Sequence, residues 1–109
     1  MSRFTSKNVL ITGAAAGIGK GIATSFAREG ANLALCDINK AGVDLLAQEL
    51  AQFGGKIFCY SLDVTKEAQV KPVIAQVMRD MGVLDVLVNN AGVSTMQVSW
   101  ELSEEEWDY

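Results

Sequence analysis

The sequence has no histidine, a single proline and no cluster of lysine or arginine. Without histidine, the most common metal-ligating side chain is missing, and we predict no metal site. The net charge of −4 argues against nucleic acid and anionic membranes as partners. The apolar run near the start, Val9 to Ile11, is too short for a signal-peptide core or a membrane span. The composition is that of a soluble globular chain, with a core of at most one domain in 109 residues.

The two cysteines, Cys36 and Cys59, each lie within an apolar, strand-like stretch. Free cysteine is among the most frequently buried residue types. A disulfide or a metal site is the alternative, but a metal site needs partners that the sequence lacks. We therefore predict two reduced core thiols in a cytoplasmic protein.

Apolar strand-like runs alternate with amphipathic helical segments along the chain. This alternation predicts an α/β fold with a parallel sheet and right-handed crossovers, doubly wound in the Rossmann manner with strand order 3-2-1-4. Glycines end the three helices, and Pro72 indicates that the third helix either starts near Lys71 or is kinked. The fold opens a crevice between strands one and four, where ligands bind. The predicted strands are Asn8–Thr12, Asn32–Asp37, Ile57–Leu62 and Leu84–Asn89.

A glycine-rich segment from Thr12 to Gly19 joins the first strand to the first helix. Gly13 permits a tight turn, Gly17 lets a pyrophosphate approach the backbone, and Gly19 lets helix and strand pack closely. The phosphates would then lie on the free N–H groups at the helix N-terminus. A purely structural turn is the alternative.

Asp37 closes the second predicted strand. A carboxylate there can accept hydrogen bonds from both hydroxyls of the adenosine ribose, and it repels a 2′-phosphate. This predicts NAD(H) as the cofactor. Lys40 is the one nearby cation that would attract a 2′-phosphate and so favour NADP(H). The alternative is that Asp37 caps the second helix.

Together these residues resemble the short-chain dehydrogenase/reductase family in its smaller, single-domain branch. The resemblance rests on Thr-Gly-x-x-x-Gly-x-Gly from Thr12 to Gly19, on Asp37, on Asp63-Val64 after the third strand and on Asn89-Asn90-Ala91-Gly92 after the fourth. It covers the chain from about Lys7 onward.

The resemblance implies roles for individual residues around the adenosine half of the cofactor. Asp63 would contact the adenine edge, and Val64 would line its pocket. Asn90, Ala91 and Gly92 would pass under the ribose, although a hydrogen-bonded strand terminus also explains the asparagines. The residues expected to bind the cofactor are Gly13, Ala15, Ala16, Gly17, Ile18, Gly19, Asp37, Ile38, Asp63, Val64, Asn90, Ala91 and Gly92.

The family's catalytic serine and Tyr-x-x-x-Lys pair have no counterpart in this sequence, so we assign no catalytic residue. Residues 103–106 form a capping box, from Ser103 to Glu106, which predicts the start of a helix close to the last residue, Tyr109. We therefore expect residues 1–109 to be the NAD(H)-binding half of a truncated domain, inactive alone.

Three functions remain open at this point. The resemblance implies an NAD(H)-dependent oxidoreductase that transfers a hydride between nicotinamide and an alcohol or carbonyl substrate, and a homo-oligomer when intact. A non-catalytic nucleotide-binding or interaction module is the second. A methyltransferase-like fold is the third, but the asparagines and glycine after the fourth strand argue against it.

Overall fold

The computed structural model describes residues 4–90 of the chain. Four strands alternate with three α-helices, and a short 3-10 turn, Ala51–Phe53, follows the second helix. The strands are β1 Asn8–Thr12, β2 Asn32–Asp37, β3 Ile57–Ser61 and β4 Val86–Asn89; the helices are α1 Gly17–Arg28, α2 Lys40–Leu50 and α3 Glu67–Met81.

The strands form one parallel sheet in the order β3-β2-β1-β4. β1 lies between its neighbours, with Ile11 opposite Leu35 of β2 and Val88 of β4. The chain therefore reverses its winding direction after β3, and the predicted doubly wound order is confirmed. The carboxyl ends of β1 and β4 flank the reversal, which is where ligands bind in such sheets.

Side chains of the central strands alternate between two apolar cores. Val9 and Ile11 of β1 face the core that also holds the buried side chains of α1 and α2. Leu10, between them in sequence, faces the core that α3 covers. All three side chains are fully buried. Because both faces are covered, the strands consist of nearly continuous apolar residues.

α1 lies close to the sheet because its inward face is made of small residues. Gly19, Ala23 and Ala27 are buried at helical spacing, whereas Ile18 is 74% exposed. The large apolar residues Ile18, Ile22 and Phe26 recur every fourth residue in the sequence, but only the last two pack against the core.

Three predicted boundaries differ from the structure. β4 begins at Val86; before it, the Asp85 N–H donates to the Asn8 carbonyl at 2.9 Å and the Asp85 side chain accepts from the Asn8 N–H at 2.8 Å. α3 begins at Glu67, so a start near Lys71 is wrong, and Pro72 lies inside the helix. β3 ends one residue early, at Ser61. No helix among residues 4–90 is long and apolar enough to cross a bilayer.

The two cysteines are free thiols, as predicted. Cys59 lies opposite Leu35 and packs against the α1/α2 core, whereas Cys36 belongs to the core under α3. The sheet therefore separates them. Burial raises the pKa of Cys36 to about 12, which leaves an unreactive core thiol.

Candidate functional site: a cleft at the carboxyl ends of the strands

The glycine-rich loop turns sharply between β1 and α1. Gly13 and Gly17 have φ values of 65° and 60°, a region that favours glycine. A Cβ at Gly17 would meet no atom within 4 Å, so the space beside it is open. Ala16, the N-cap residue of α1, has no side-chain acceptor for the first-turn N–H groups. This helix end can therefore donate hydrogen bonds to an anion.

Gly19 brings α1 into direct contact with the start of the loop. A Cβ there would overlap the Gly13 carbonyl oxygen and would lie 2.6 Å from Nδ2 of Asn90. The close helix–strand packing predicted for Gly19 is thus present, and it includes the end of β4 as well as β1.

A hydrogen-bond network around Thr12 fastens the end of β4 to the loop. The Thr12 hydroxyl donates to Oδ1 of Asn89 at 3.0 Å and accepts from the backbone N–H of Asn90 at 3.1 Å. Nδ2 of Asn90 donates to the Gly13 carbonyl at 3.3 Å. Thr12 is fully buried. The glycine-rich motif begins with Thr12 but predicts no role for it; the sequence signal for this role is a hydroxyl at the end of a buried strand.

Asp37 links the loop to the first turn of α2. Its Oδ2 accepts from the Ala15 N–H and its Oδ1 from the Asn39 N–H, each at 2.9 Å. The cap of α2 is Asn39, whose Oδ1 accepts from the Gly42 N–H at 3.0 Å. The alternative that Asp37 caps α2 is therefore wrong. Each carboxylate oxygen can accept a further hydrogen bond.

A cleft of about 250 Å³ opens between the ends of β1, β2 and β3. Two carboxylates border it, those of Asp37 and Asp63, together with the apolar side chain of Ile38, which is 69% exposed. Its volume suits part of a dinucleotide rather than a whole drug-sized ligand. The lining residues are Gly13, Asp37, Ile38, Leu62, Asp63, Val64 and Thr65.

Asp63 is held in place by the residues that follow it. Its Oδ1 accepts from the Thr65 hydroxyl at 2.6 Å and from the Thr65 N–H at 3.0 Å, while its own N–H donates to Oε1 of Gln69. The bonds from the Thr65 hydroxyl and N–H hold the pKa of the Asp63 carboxyl below its usual range. The cleft therefore carries a second negative charge at neutral pH. Thr65 and Gln69 were not predicted, because these turn contacts depend on the fold of the chain after β3.

The Tyr60 hydroxyl forms a hydrogen bond outside the cleft. Its hydroxyl donates to Oδ2 of Asp80 on α3 at 2.7 Å, and burial together with this bond raises its pKa above the usual range. It is therefore no proton donor for the cleft. Ala91 and Gly92 of the predicted site lie outside the described residues, as do the capping box from Ser103 and the final Tyr109.

Comparison with known proteins adds a family match to this geometry. The sequence model described as short chain dehydrogenase matches residues 7–109. The chain is 43% identical over 106 residues to 3-oxoacyl-(acyl-carrier-protein) reductase FabG of Thermotoga maritima, covering 97% of this chain and 43% of that protein. It is 43% identical over 109 residues to oxidoreductase UcpA of Salmonella typhimurium, covering 100% and 41%. The chain thus spans about two-fifths of the length of these curated relatives.

Solved structures of similar proteins share the architecture. A 7α-hydroxysteroid dehydrogenase complexed with NADH and 7-oxo glycochenodeoxycholic acid is 40% identical, with a TM-score of 0.79, over 84% of this chain and 36% of that one. An NAD+-bound xylitol dehydrogenase is 36% identical, with a TM-score of 0.80, over 84% and 35%. The family match removes the methyltransferase-like alternative.

Proposed function

The chain belongs to the short-chain dehydrogenase family, and from this we propose that it is the NAD(H)-binding part of an oxidoreductase. The observation that carries the proposal is the convergence of three features at one end of the sheet. The open backbone beside Gly17 follows β1, and the carboxylate of Asp37 and the apolar side chain of Ile38 lie at the end of β2, so all three lie at the carboxyl ends of the strands.

These features fit the successive parts of a dinucleotide. The uncapped N–H groups at the start of α1 would hold the pyrophosphate, where the helix dipole favours negative charge. Asp37 would accept hydrogen bonds from the adenosine ribose. The adenine would lie beside Ile38 and Val64, with Asp63 at its edge. Asn90, Ala91 and Gly92 would pass under the ribose, as the family resemblance implies.

The charges around the cleft favour NAD(H) over NADP(H). A 2′-phosphate near Asp37 would meet a repulsion of about 4 kcal/mol per charge pair at ~4 Å and an effective dielectric of ~20, weakened by salt. Asp63 adds negative charge to the same cleft. Lys40, the nearest cation along the chain, donates to both oxygens of Asp44 at 2.9 and 3.1 Å. That pairing offsets its attraction for a phosphate.

The bound nicotinamide would carry the hydride to or from an alcohol or carbonyl substrate. The named relatives include a xylitol dehydrogenase and a hydroxysteroid dehydrogenase, which are named for alcohol substrates. We place residues 1–109 in the dinucleotide-binding half-domain of a cytoplasmic, homo-oligomeric enzyme. By the same proposal, the catalytic serine and the Tyr-x-x-x-Lys pair belong to sequence not present in these 109 residues.

Titration of the protein with NADH and with NADPH tests the proposal. We expect tighter binding of NADH, and a narrower difference between the two in Asp37→Ser, which lacks the repelling charge and the ribose acceptor. Asp80→Ser, the same change on α3 outside the cleft, should leave the ratio unchanged. Equal affinities in the unaltered protein, or a preference for NADPH, would contradict the assignment of Asp37 to the ribose.

A further inference from the structure

The first turn of α2 packs directly on the glycine-rich loop. Gly42 lies at the point of contact: a Cβ at this position would lie 2.9 Å from the Cβ of Ala15 and 2.7 Å from Nδ2 of Asn39. Carbon atoms in ordinary contact are about 3.5–4.0 Å apart. Alanine at position 42 would therefore have to displace Ala15, Asn39 or the helix itself.

The same contact point ends a chain of hydrogen bonds that leads back to the loop. The Gly42 N–H donates to Oδ1 of Asn39, the Asn39 N–H donates to Oδ1 of Asp37, and Oδ2 of Asp37 accepts from the Ala15 N–H, at 3.0, 2.9 and 2.9 Å. We call these four residues, Ala15, Asp37, Asn39 and Gly42, the loop brace. Gly42 faces Ala15 across the brace, since a Cβ at position 42 would lie 2.9 Å from that of Ala15.

We propose that Gly42 is a positioning residue for the glycine-rich loop: its missing side chain lets α2 approach Ala15 and complete the loop brace. The inference rests on the proposed function, since it assigns the braced loop to pyrophosphate binding. Gly42 does not line the cleft. Its effect on a dinucleotide must therefore pass through the loop brace. Because the brace holds Asp37 as well as the loop, Gly42→Ala should weaken NADH at least as much as NADPH.

Helix propensity alone predicts the opposite outcome for alanine at this position. Alanine is more favourable than glycine within a helix, so an unobstructed glycine gains stability on replacement. Gly21 in α1 supplies the matched control, because a Cβ there meets no atom within 4 Å. Gly42→Ala and Gly21→Ala are thus the same change in two helices, one obstructed by the loop and one free.

The first measurement is hydrogen exchange of the Ala15 amide without nucleotide, which does not depend on the proposed function. We expect faster exchange in Gly42→Ala and an unchanged rate in Gly21→Ala. The second is dinucleotide affinity: Gly42→Ala should weaken both NADH and NADPH, with a loss of about tenfold for NADH. Gly21→Ala should bind both as the unaltered protein does.

Removing the opposing atom provides a rescue. In Ala15→Gly/Gly42→Ala the Cβ that faces position 42 is gone, so part of the lost affinity should return; if Gly42→Ala does not fold, the double variant should recover folding. Identical behaviour of Gly42→Ala and Gly21→Ala, an undiminished affinity for NADPH in Gly42→Ala, or no rescue would overturn the proposal. If the unaltered protein binds neither nucleotide, the proposed function fails, while the Ala15 exchange rates still decide the role of Gly42.

Discussion

Replacing Thr12 with valine would keep the shape of a fully buried, β-branched side chain and remove only its hydroxyl. That hydroxyl donates to Oδ1 of Asn89 and accepts from the Asn90 N–H. A net hydrogen bond contributes about 0.5–1.5 kcal/mol, and a buried group left without its partner costs more. With two bonds lost, we expect Thr12→Val to lower the free energy of unfolding by about 2 kcal/mol.

Thr12→Ser is the control, because it keeps the hydroxyl and removes the methyl group. Loss of one buried methyl group costs about 1 kcal/mol. If the hydroxyl network matters more than packing at this position, the valine variant must be the less stable of the two. Urea denaturation measures both, and a shift of the midpoint at constant slope reports stability.

Hydrogen exchange at Asn90 separates a local effect from a global one. In Thr12→Val the Asn90 amide loses its acceptor, so it should exchange faster than the change in the global free energy of unfolding alone explains. In Thr12→Ser it should follow global stability. A valine variant within about 0.5 kcal/mol of the unaltered protein, or more stable than the serine variant, would refute the reasoning, since surface-like substitutions fall in that range.

Two further predictions concern the close packing at Gly19 and the hydrogen bond between Tyr60 and Asp80. Gly19→Ala should lower the free energy of unfolding by about 3 kcal/mol in urea denaturation, because the added Cβ would overlap the Gly13 carbonyl oxygen. Gly21→Ala should not lower it, and equal stabilities of the two variants would contradict this prediction. Tyr60 has a raised pKa, so the folded state keeps a proton that the unfolded chain loses and stability falls as the pH rises above about 10. Tyr60→Phe has no hydroxyl to bond Asp80, so its free energy of unfolding, measured from the urea midpoint, should fall less between pH 8 and ~10.5 than that of the unaltered protein. An equal fall in both proteins would contradict a raised pKa at Tyr60.

The sequence predicted the central strands best. β1 and β2 begin and end where expected, since each is a continuous apolar run bounded by polar residues or glycine. β4 was predicted two residues too long, because Leu84 and Asp85 continue the run in sequence. Only the three-dimensional position of Asn8 shows that Asp85 bonds through its side chain there.

The helical periodicity was less informative at α1. Large apolar residues marked a stripe that includes Ile18, but the helix packs through Gly19 and Ala23. Hydrophobic spacing identifies the face that bears large side chains, whereas close approach to a sheet requires small ones. The glycine motif carried this information, since Gly19 was expected to permit close packing.

For the candidate site, the sequence identified five of the seven residues that line the cleft but not what holds them. Asp37, Ile38, Asp63 and Val64 all border it. The partners of Asp37 could not be foreseen, because they are backbone N–H groups from segments on both sides of β2. Backbone donors carry no residue signature, so their direction is known only once the loop and helix are placed.

The two bonds of Asp37 make cofactor choice inseparable from loop structure. A protein that accepts a 2′-phosphate here must lose the negative charge, yet the Ala15 N–H and the Asn39 N–H would both then need a new acceptor. Serine offers one short oxygen, and asparagine offers one acceptor and turns a donor toward the other N–H. Either change loosens the loop that we assign to the pyrophosphate, which both dinucleotides share. A substitution at Asp37 should therefore narrow the preference for NADH while weakening both ligands, and a gain in NADPH affinity requires a cation in addition to the lost carboxylate.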